Sequence, residues 1–274
     1  MRLMRGNARP WFYGAIFLMA LSLIVSLGLP ALAADTLDEV KARGKLIAGV
    51  KADFPPFGFI DEKGQNTGFD IDIAREFARY LFGDPNKVEL VAVTSANRIP
   101  NLVGRKIDII LASMTILPER AEVIDFSDPY FYSGHLLMVR KGSPIKSYQD
   151  LAGKKVITLQ GSTGDKYIKE LVPTAERITF TKNSECLLAL KDGRGVAFVQ
   201  DDVLLLNMVK NEPTLEVVGF PPFKPAPYGL GVRKGNPKFL AWVNDALKKM
   251  KKEGSYDKLY TKWFGEVAGK LAKP

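Results

Sequence analysis

The chain has 274 residues, a net charge of +9, 46% hydrophobic residues and one cysteine, Cys186. A single cysteine forbids an internal disulfide, so stability has to come from a buried core, and the length suffices for one large domain or two ordinary ones. Lys and Arg are dispersed among Asp and Glu, and the densest run, Lys248-Lys249-Met250-Lys251-Lys252, reads as the solvated face of a helix, which argues against nucleic-acid binding.

Arg2, Arg5 and Arg9 precede an apolar run from Trp11 to Leu29 that ends in Pro30-Ala31-Leu32-Ala33. Basic start, apolar middle and small-x-small ending form the pattern of a cleavable secretory signal over residues 1–33, with an uncleaved membrane anchor as the rival. Cleavage would leave a charge of +6 on an exported chain, expected in the periplasm. Lipid anchoring at the cleavage site would need a cysteine there, and Cys186 lies far downstream.

Thr36 is placed to cap a short helix, and Lys45 to Val50 is an apolar run of strand length. Asp70 precedes Ile71, Ala74, Phe77, Ala78 and Leu81, whose spacing predicts one apolar helical face ending at Gly83. Val88 to Val93 reads as a strand, Ile99 to Val103 as a short helix and Ile107 to Leu111 as a buried strand. The alternation restarts with strand Lys155 to Leu159, helices after Gly164 and around Cys186, strand Val196 to Val199 and helix Val203 to Lys210. Phe239 to Met250 and Tyr256 to Phe264 are further helical patterns.

Alternating strands and helices predict an α/β protein with two mostly parallel sheets flanked by helices. Segments Tyr130 to Gly134 and Phe220 to Tyr228 read as two crossings, so the expected architecture is two-lobed, joined by a two-strand hinge. Residues 34–130 with 229–274 would form lobe one, and 131–228 the hinge and lobe two. Open α/β sheets bind ligands beyond the carboxyl ends of their strands, which singles out Lys51 to Phe59, Ala112 to Arg120, Gln160 to Asp165 and Gln200 to Asp202.

Those loops carry specific chemistry. Ser113, Thr115 and Arg120 supply hydroxyls and a guanidinium suited to a carboxylate, with a surface pairing of Arg120 to Glu119 or Glu122 as the plainer reading. Gln160-Gly161-Ser162-Thr163-Gly164 opens a helix and offers backbone donors to an anion, but lacks the patterns of a nucleophile elbow or a phosphate loop. Asp202 is expected to cap the next helix, leaving Asp201 free to accept from a ligand ammonium.

Asp53-Phe54-Pro55-Pro56-Phe57, Gly68-Phe69-Asp70-Ile71-Asp72, Ala112-Ser113-Met114-Thr115, Pro118-Glu119-Arg120, Asp125 to Tyr130 and Gln160-Gly161-Ser162 together resemble the family three extracellular solute-binding proteins of bacterial ABC importers. The resemblance covers the whole mature chain and implies the periplasmic-binding-protein fold, with a polar amino acid delivered to an inner-membrane ABC permease and its ATPase. It implies that Arg120, Thr115 and Ser113 hold the α-carboxylate with donors at Ser162 and Thr163, that Asp201 holds the α-ammonium, and that Phe54 lies over the ligand. Lys51 and Arg98 resemble residues of relatives selecting acidic amino acids, so glutamate or aspartate is the favoured ligand and glutamine the next.

An enzyme resembling cyclohexadienyl dehydratase, or a ligand-binding sensor, is the alternative on this fold. The only histidine, His135, falls in the expected hinge, where a structural role is expected and where no base stands by Ser162 or Cys186. Elimination chemistry would rely on one carboxylate such as Asp53 or Glu62. No ligand spacing for a metal occurs. The expectation is therefore a non-enzymatic monomer without metal or cofactor.

Overall fold

The computed structural model describes residues 35–265 and 268–271; the expected signal segment lies outside them. Helix α1 (Thr36–Arg43) leads into β1 (Leu46–Val50), and a three-stranded flap follows, β2 (Asp53–Phe54), β3 (Gly58–Ile60) and β4 (Asn66–Thr67). Next come α2 (Phe69–Phe82), β5 (Val88–Ala92), α3 (Arg98–Val103), β6 (Ile109–Leu111), α4 (Pro118–Ala121) and β7 (Ile124–Phe126). The chain crosses on β8 (Phe131–Arg140) and continues through β9 (Lys155–Leu159), α5 (Thr163–Leu171), β10 (Glu176–Phe180), α6 (Asn183–Lys191), β11 (Ala197–Asp201) and α7 (Asp202–Met208). It returns on β12 (Leu215–Tyr228) to β13 (Gly231–Arg233), α8 (Pro237–Lys252) and α9 (Ser255–Phe264).

Two five-stranded sheets result, ordered β5-β1-β6-β13-β7 and β10-β9-β11-β8-β12. Each is mixed rather than mostly parallel. The predicted βαβ units supply the parallel pairs β5-β1-β6 and β10-β9-β11, while β13 and β7, like β8 and β12, add antiparallel pairs. These additions arise from the crossings, whose strands return through the sheet rather than over its face.

Between the lobes, β8 pairs antiparallel with β12, from Phe131↔Tyr228 to Arg140↔Leu215, with register shifts around Phe223. An aromatic cluster holds the lobe-one end. The Phe264 ring lies 4.8 Å from that of Phe131, 4.9 Å from Phe69 and 5.1 Å from Phe57, so α9 packs on lobe one beside the crossing.

Two helix starts are fixed by residues that the apolar spacing does not single out. The α2 N-cap is Gly68, at φ 133°, because a Cβ there would sit 2.2 Å from the Phe57 carbonyl oxygen; Asp70 falls inside the first turn, its side chain directed elsewhere. The α1 cap is Asp35 rather than Thr36. Asp35 accepts from Leu37 N at 2.9 Å and also from Lys238 N and Phe239 N, both at 3.1 Å, in the first turn of α8. In return the Asn236 amide oxygen accepts from Thr36 N at 2.8 Å. Two positive helix ends thus share one carboxylate. Asp35→Ala should cost about 2 kcal/mol in urea unfolding, two caps being lost at once, and Asp35→Asn should cost less; ligand affinity of the folded protein should not change.

Candidate functional site

The four predicted loops do meet where the strands of the two sheets end. Lys51 follows β1, Ser113 and Thr115 follow β6, Ser162 and Thr163 follow β9, and Asp201 ends β11. Contacts between the lobes bring these loops together. Arg120 donates to the Thr115 carbonyl at 2.9 Å within lobe one and to the Gly161 carbonyl at 3.3 Å across the cleft. Asn183, at the start of α6, donates from its backbone to the Asp53 carboxylate at 2.8 Å and from its amide to the Asp53 carbonyl at 3.2 Å. Lys166 pairs with Glu119 at the rim. The plainer surface role for Arg120 is therefore set aside: its guanidinium lies at the lobe junction, where burial lowers its pKa against the opposing pull of Asp201.

Asp201 is 5% exposed. One carboxylate oxygen accepts from the Tyr228 hydroxyl, and the other lies 3.2 Å from His135 Nε2. Burial pushes its pKa upward, yet the His135 and Tyr228 hydrogen bonds and the nearby Arg98 charge win, leaving it below the usual carboxylate value. The expected division of labour with Asp202 is corrected. Asp201 occupies the cap position of α7 without a side-chain capping bond, and Asp202 is the first helical residue, its carboxylate taken by Ser133 Oγ at 2.6 Å and Val203 N at 2.8 Å. The reason is that Asp201 is still in the ladder, paired with His135.

In lobe one, Ser113 adopts φ 49°, and its N–H donates to the Asp70 carboxylate at 3.1 Å, whose other oxygen accepts from Tyr130 at 2.9 Å. Burial raises Asp70 to about 7 despite both hydrogen bonds. Arg98 is buried, and one guanidinium nitrogen donates to the Ala112 and Ser113 carbonyls. Lys51 is 1% exposed, donates to Ser95 Oγ at 2.7 Å and lies 5.9 Å above the Phe54 ring; burial and the neighbouring Arg98 bring it down to about 7. Phe54 is itself buried, edge-on to Phe57 at 5.9 Å. In lobe two, the Ser162 hydroxyl caps α5 by accepting from Asp165 N at 3.1 Å, and Thr163 Oγ1 lies 2.9 Å from His135 Nε2.

The predicted site residues lie on or beside the loops that meet at the junction, and most already have protein partners, Lys51 with Ser95, Arg98 with two carbonyls, Ser162 with Asp165 N, Thr163 with His135 and Asp201 with Tyr228. Sequence reasoning missed Asp70, Ser95, Tyr130 and Tyr228, and it placed His135 in the hinge as a purely structural residue. His135 does lie on a crossing strand, but its ring points at Asp201. No local motif could have shown this, because the partners, Asp201 at the end of β11 and Thr163 at the start of α5, are 66 and 28 residues away.

Lobes of this topology define the periplasmic-binding-protein fold. The chain belongs to the bacterial extracellular solute-binding proteins, family 3, which it matches over residues 46–266. It is 42% identical over 234 residues to the ABC transporter glutamine-binding protein GlnH of Bacillus subtilis, covering 85% of each chain. It is 44% identical over 202 residues to the glutamine-binding protein of Geobacillus stearothermophilus, covering 73% of this chain and 77% of that one. A solved ancestral amino acid-binding protein, a precursor of cyclohexadienyl dehydratase, shares 44% identity at a TM-score of 0.77, over 84% of this chain and 99% of that one.

Two outcomes follow. Gly161 sits at φ 74°, and a Cβ there would lie 2.8 Å from Ala96 Cα of the opposite lobe. Gly161→Ala should therefore oppose closure, weakening ligand binding by roughly tenfold or more, with small-angle scattering reporting a more open molecule. Asp70, with a folded pKa of about 7 against 3.8, holds its proton more tightly when folded. Its contribution to stability is present at low pH and declines between about 4 and 7. Urea unfolding at several pH values should show wild type losing stability relative to Asp70→Asn across that window.

Proposed function

We propose that this chain is the exported solute-binding component of a bacterial ABC importer, closing its lobes on a polar α-amino acid and presenting it to an inner-membrane permease and its ATPase. The observation that carries the reading is the placement of opposite charges on the two sides of the lobe junction, Arg120 of lobe one, whose guanidinium reaches the Gly161 carbonyl of lobe two, and the buried Asp201 of lobe two. An α-carboxylate on Arg120 and an α-ammonium on Asp201 would bridge the lobes, with Ser113, Thr115, Ser162 and Thr163 adding donors around the carboxylate. A zwitterion lying between them would thus give the cation of one lobe and the anion of the other a partner of opposite charge.

Glutamine is the ligand we favour. Two glutamine-binding relatives at 42% and 44% identity support it. The charge balance supports it as well. Lys51 and Arg98 would demand an anionic side chain if both were fixed cations, but Lys51, at about 7, is able to shed its proton, and Asp70 lies in the same buried region. A neutral amide then leaves no charge stranded. Glutamate or aspartate, the first choice on the Lys51 and Arg98 resemblance, becomes the competitor. Against elimination chemistry, the Asp53 carboxylate accepts an N–H across the cleft, and Glu62 sits exposed between β3 and β4. Both are poorly placed to move a ligand proton.

Calorimetric titration with the common amino acids is the test. Glutamine should bind at least about tenfold tighter than glutamate, and Arg120→Ala or Asp201→Ala should each cost a factor of about a hundred or more, since losing one partner of a buried charge pair costs about 3–5 kcal/mol. Tighter glutamate would overturn the choice of ligand; no binding of any amino acid would overturn the function.

A further inference from the structure

His135 stands on β8 opposite Asp201 of β11 and Phe223 of β12. It is 2% exposed. Its ring is packed edge-on by Tyr167 of α5 at 5.2 Å and tilted against Phe223 at 5.5 Å, and Cδ2 would touch a Cβ placed on Gly164 at 3.4 Å. Nε2 faces two groups, Asp201 Oδ1 at 3.2 Å and Thr163 Oγ1 at 2.9 Å, whereas Nδ1 is buried with no hydrogen-bond partner among the described residues.

That arrangement selects one tautomer. A bare lone pair on Nε2 would point at a carboxylate, so the proton belongs on Nε2. A second proton on Nδ1 would be a buried donor without an acceptor, which is costly. The neutral Nε2–H form satisfies both constraints. Its N–H is shared between Asp201 and Thr163 Oγ1, and a hydroxyl that accepts there has its own proton left to give. Asp201, receiving Tyr228 on one oxygen and the imidazole on the other, keeps lone pairs for a further donor.

We propose that His135 is a positioning residue that sets the hydrogen-bond polarity of lobe two's half of the site, holding Asp201 as the acceptor for a ligand ammonium and turning the Thr163 hydroxyl outward as a donor to the ligand carboxylate. The proposal rests on the amino-acid reading above and deepens it. One side chain on the crossing strand thereby couples the groups that would recognise the two ends of an α-amino acid.

Two measurements test it. The chain has a single histidine, so its nitrogen NMR shifts report the tautomer without any ligand; a neutral ring protonated on Nε2 is expected, and an Nδ1–H or doubly protonated ring overturns the proposal. Titration with glutamine and the other common amino acids then compares variants whose folding is checked by thermal midpoint. His135→Leu should lose roughly tenfold or more in affinity, while His135→Gln, which restores an N–H at similar reach, should stay within about threefold of wild type. In a Thr163→Val background the leucine substitution should cost clearly less than in wild type. Failure of rescue by glutamine, or a leucine effect undiminished in that background, reduces His135 to a packing residue and overturns the proposal. Wild type binding no amino acid would remove the functional reading itself, and this proposal with it.

Discussion

β8 and β12 run side by side along one side of the lobe-two sheet, matched at Arg140↔Leu215 at one end and at Phe131↔Tyr228 at the end that meets lobe one. This pairing is the constraint on which the site depends. It carries Tyr228 and His135, the residues that hold Asp201, and it decides which strand ends face each other. The ladder is interrupted around Phe220-Pro221-Pro222, where proline cannot donate. Gly134 is opposite, and any Cβ there would meet Pro222 at 2.7 Å. The lobe-one end is stiffened instead by rings, Phe57, Phe69, Phe131, Tyr228 and Phe264, brought together from four parts of the chain.

The second theme is how charge is kept inside. Isolated buried charges are costly, and this interior answers each in a different way. Asp201 stays ionised because donors reach both its oxygens. Asp70 accepts a tyrosine hydroxyl and a backbone N–H, and burial still lifts it to about 7. Lys51 yields in the opposite direction, to about 7, beside Arg98, and Arg98 and Arg120 direct nitrogens at backbone carbonyls. The resulting cleft has fixed charges where a zwitterion's two ends would lie, and adjustable ones elsewhere.

The contacts that cross the cleft are few and small. The Arg120 bond to Gly161 is long at 3.3 Å, and the Lys166–Glu119 pair is solvent-exposed, a kind of pair worth little. The Asp53–Asn183 contacts are the firmest of the three. Latches this weak add little to the free energy that holds the lobes together.

Much of the local architecture was legible in the chain. The apolar spacing of Ile71, Ala74, Phe77 and Ala78 marked α2, the βαβ alternation marked the parallel strands, and the loops after β1, β6, β9 and β11 were identified from strand ends alone. The candidate residues Lys51, Ser113, Thr115, Arg120, Thr163 and Asp201 lie on those loops, because strand direction places them there whatever the partner. Short strands such as β2 and β3, and the antiparallel additions to both sheets, carry no periodic signal and were decided by pairing partners. The same holds for the details of the site. That Arg98 reaches the Ala112 carbonyl, that Asp201 rather than Asp202 ends the strand at the junction, and that His135 joins Asp201 to Thr163 depend on side chains far apart in sequence. The sequence by itself determined which residues stand at the ends of strands, since periodicity is local; only the tertiary structure decided which of them touch, since burial, register and hydrogen-bond partners are properties of the assembled lobes.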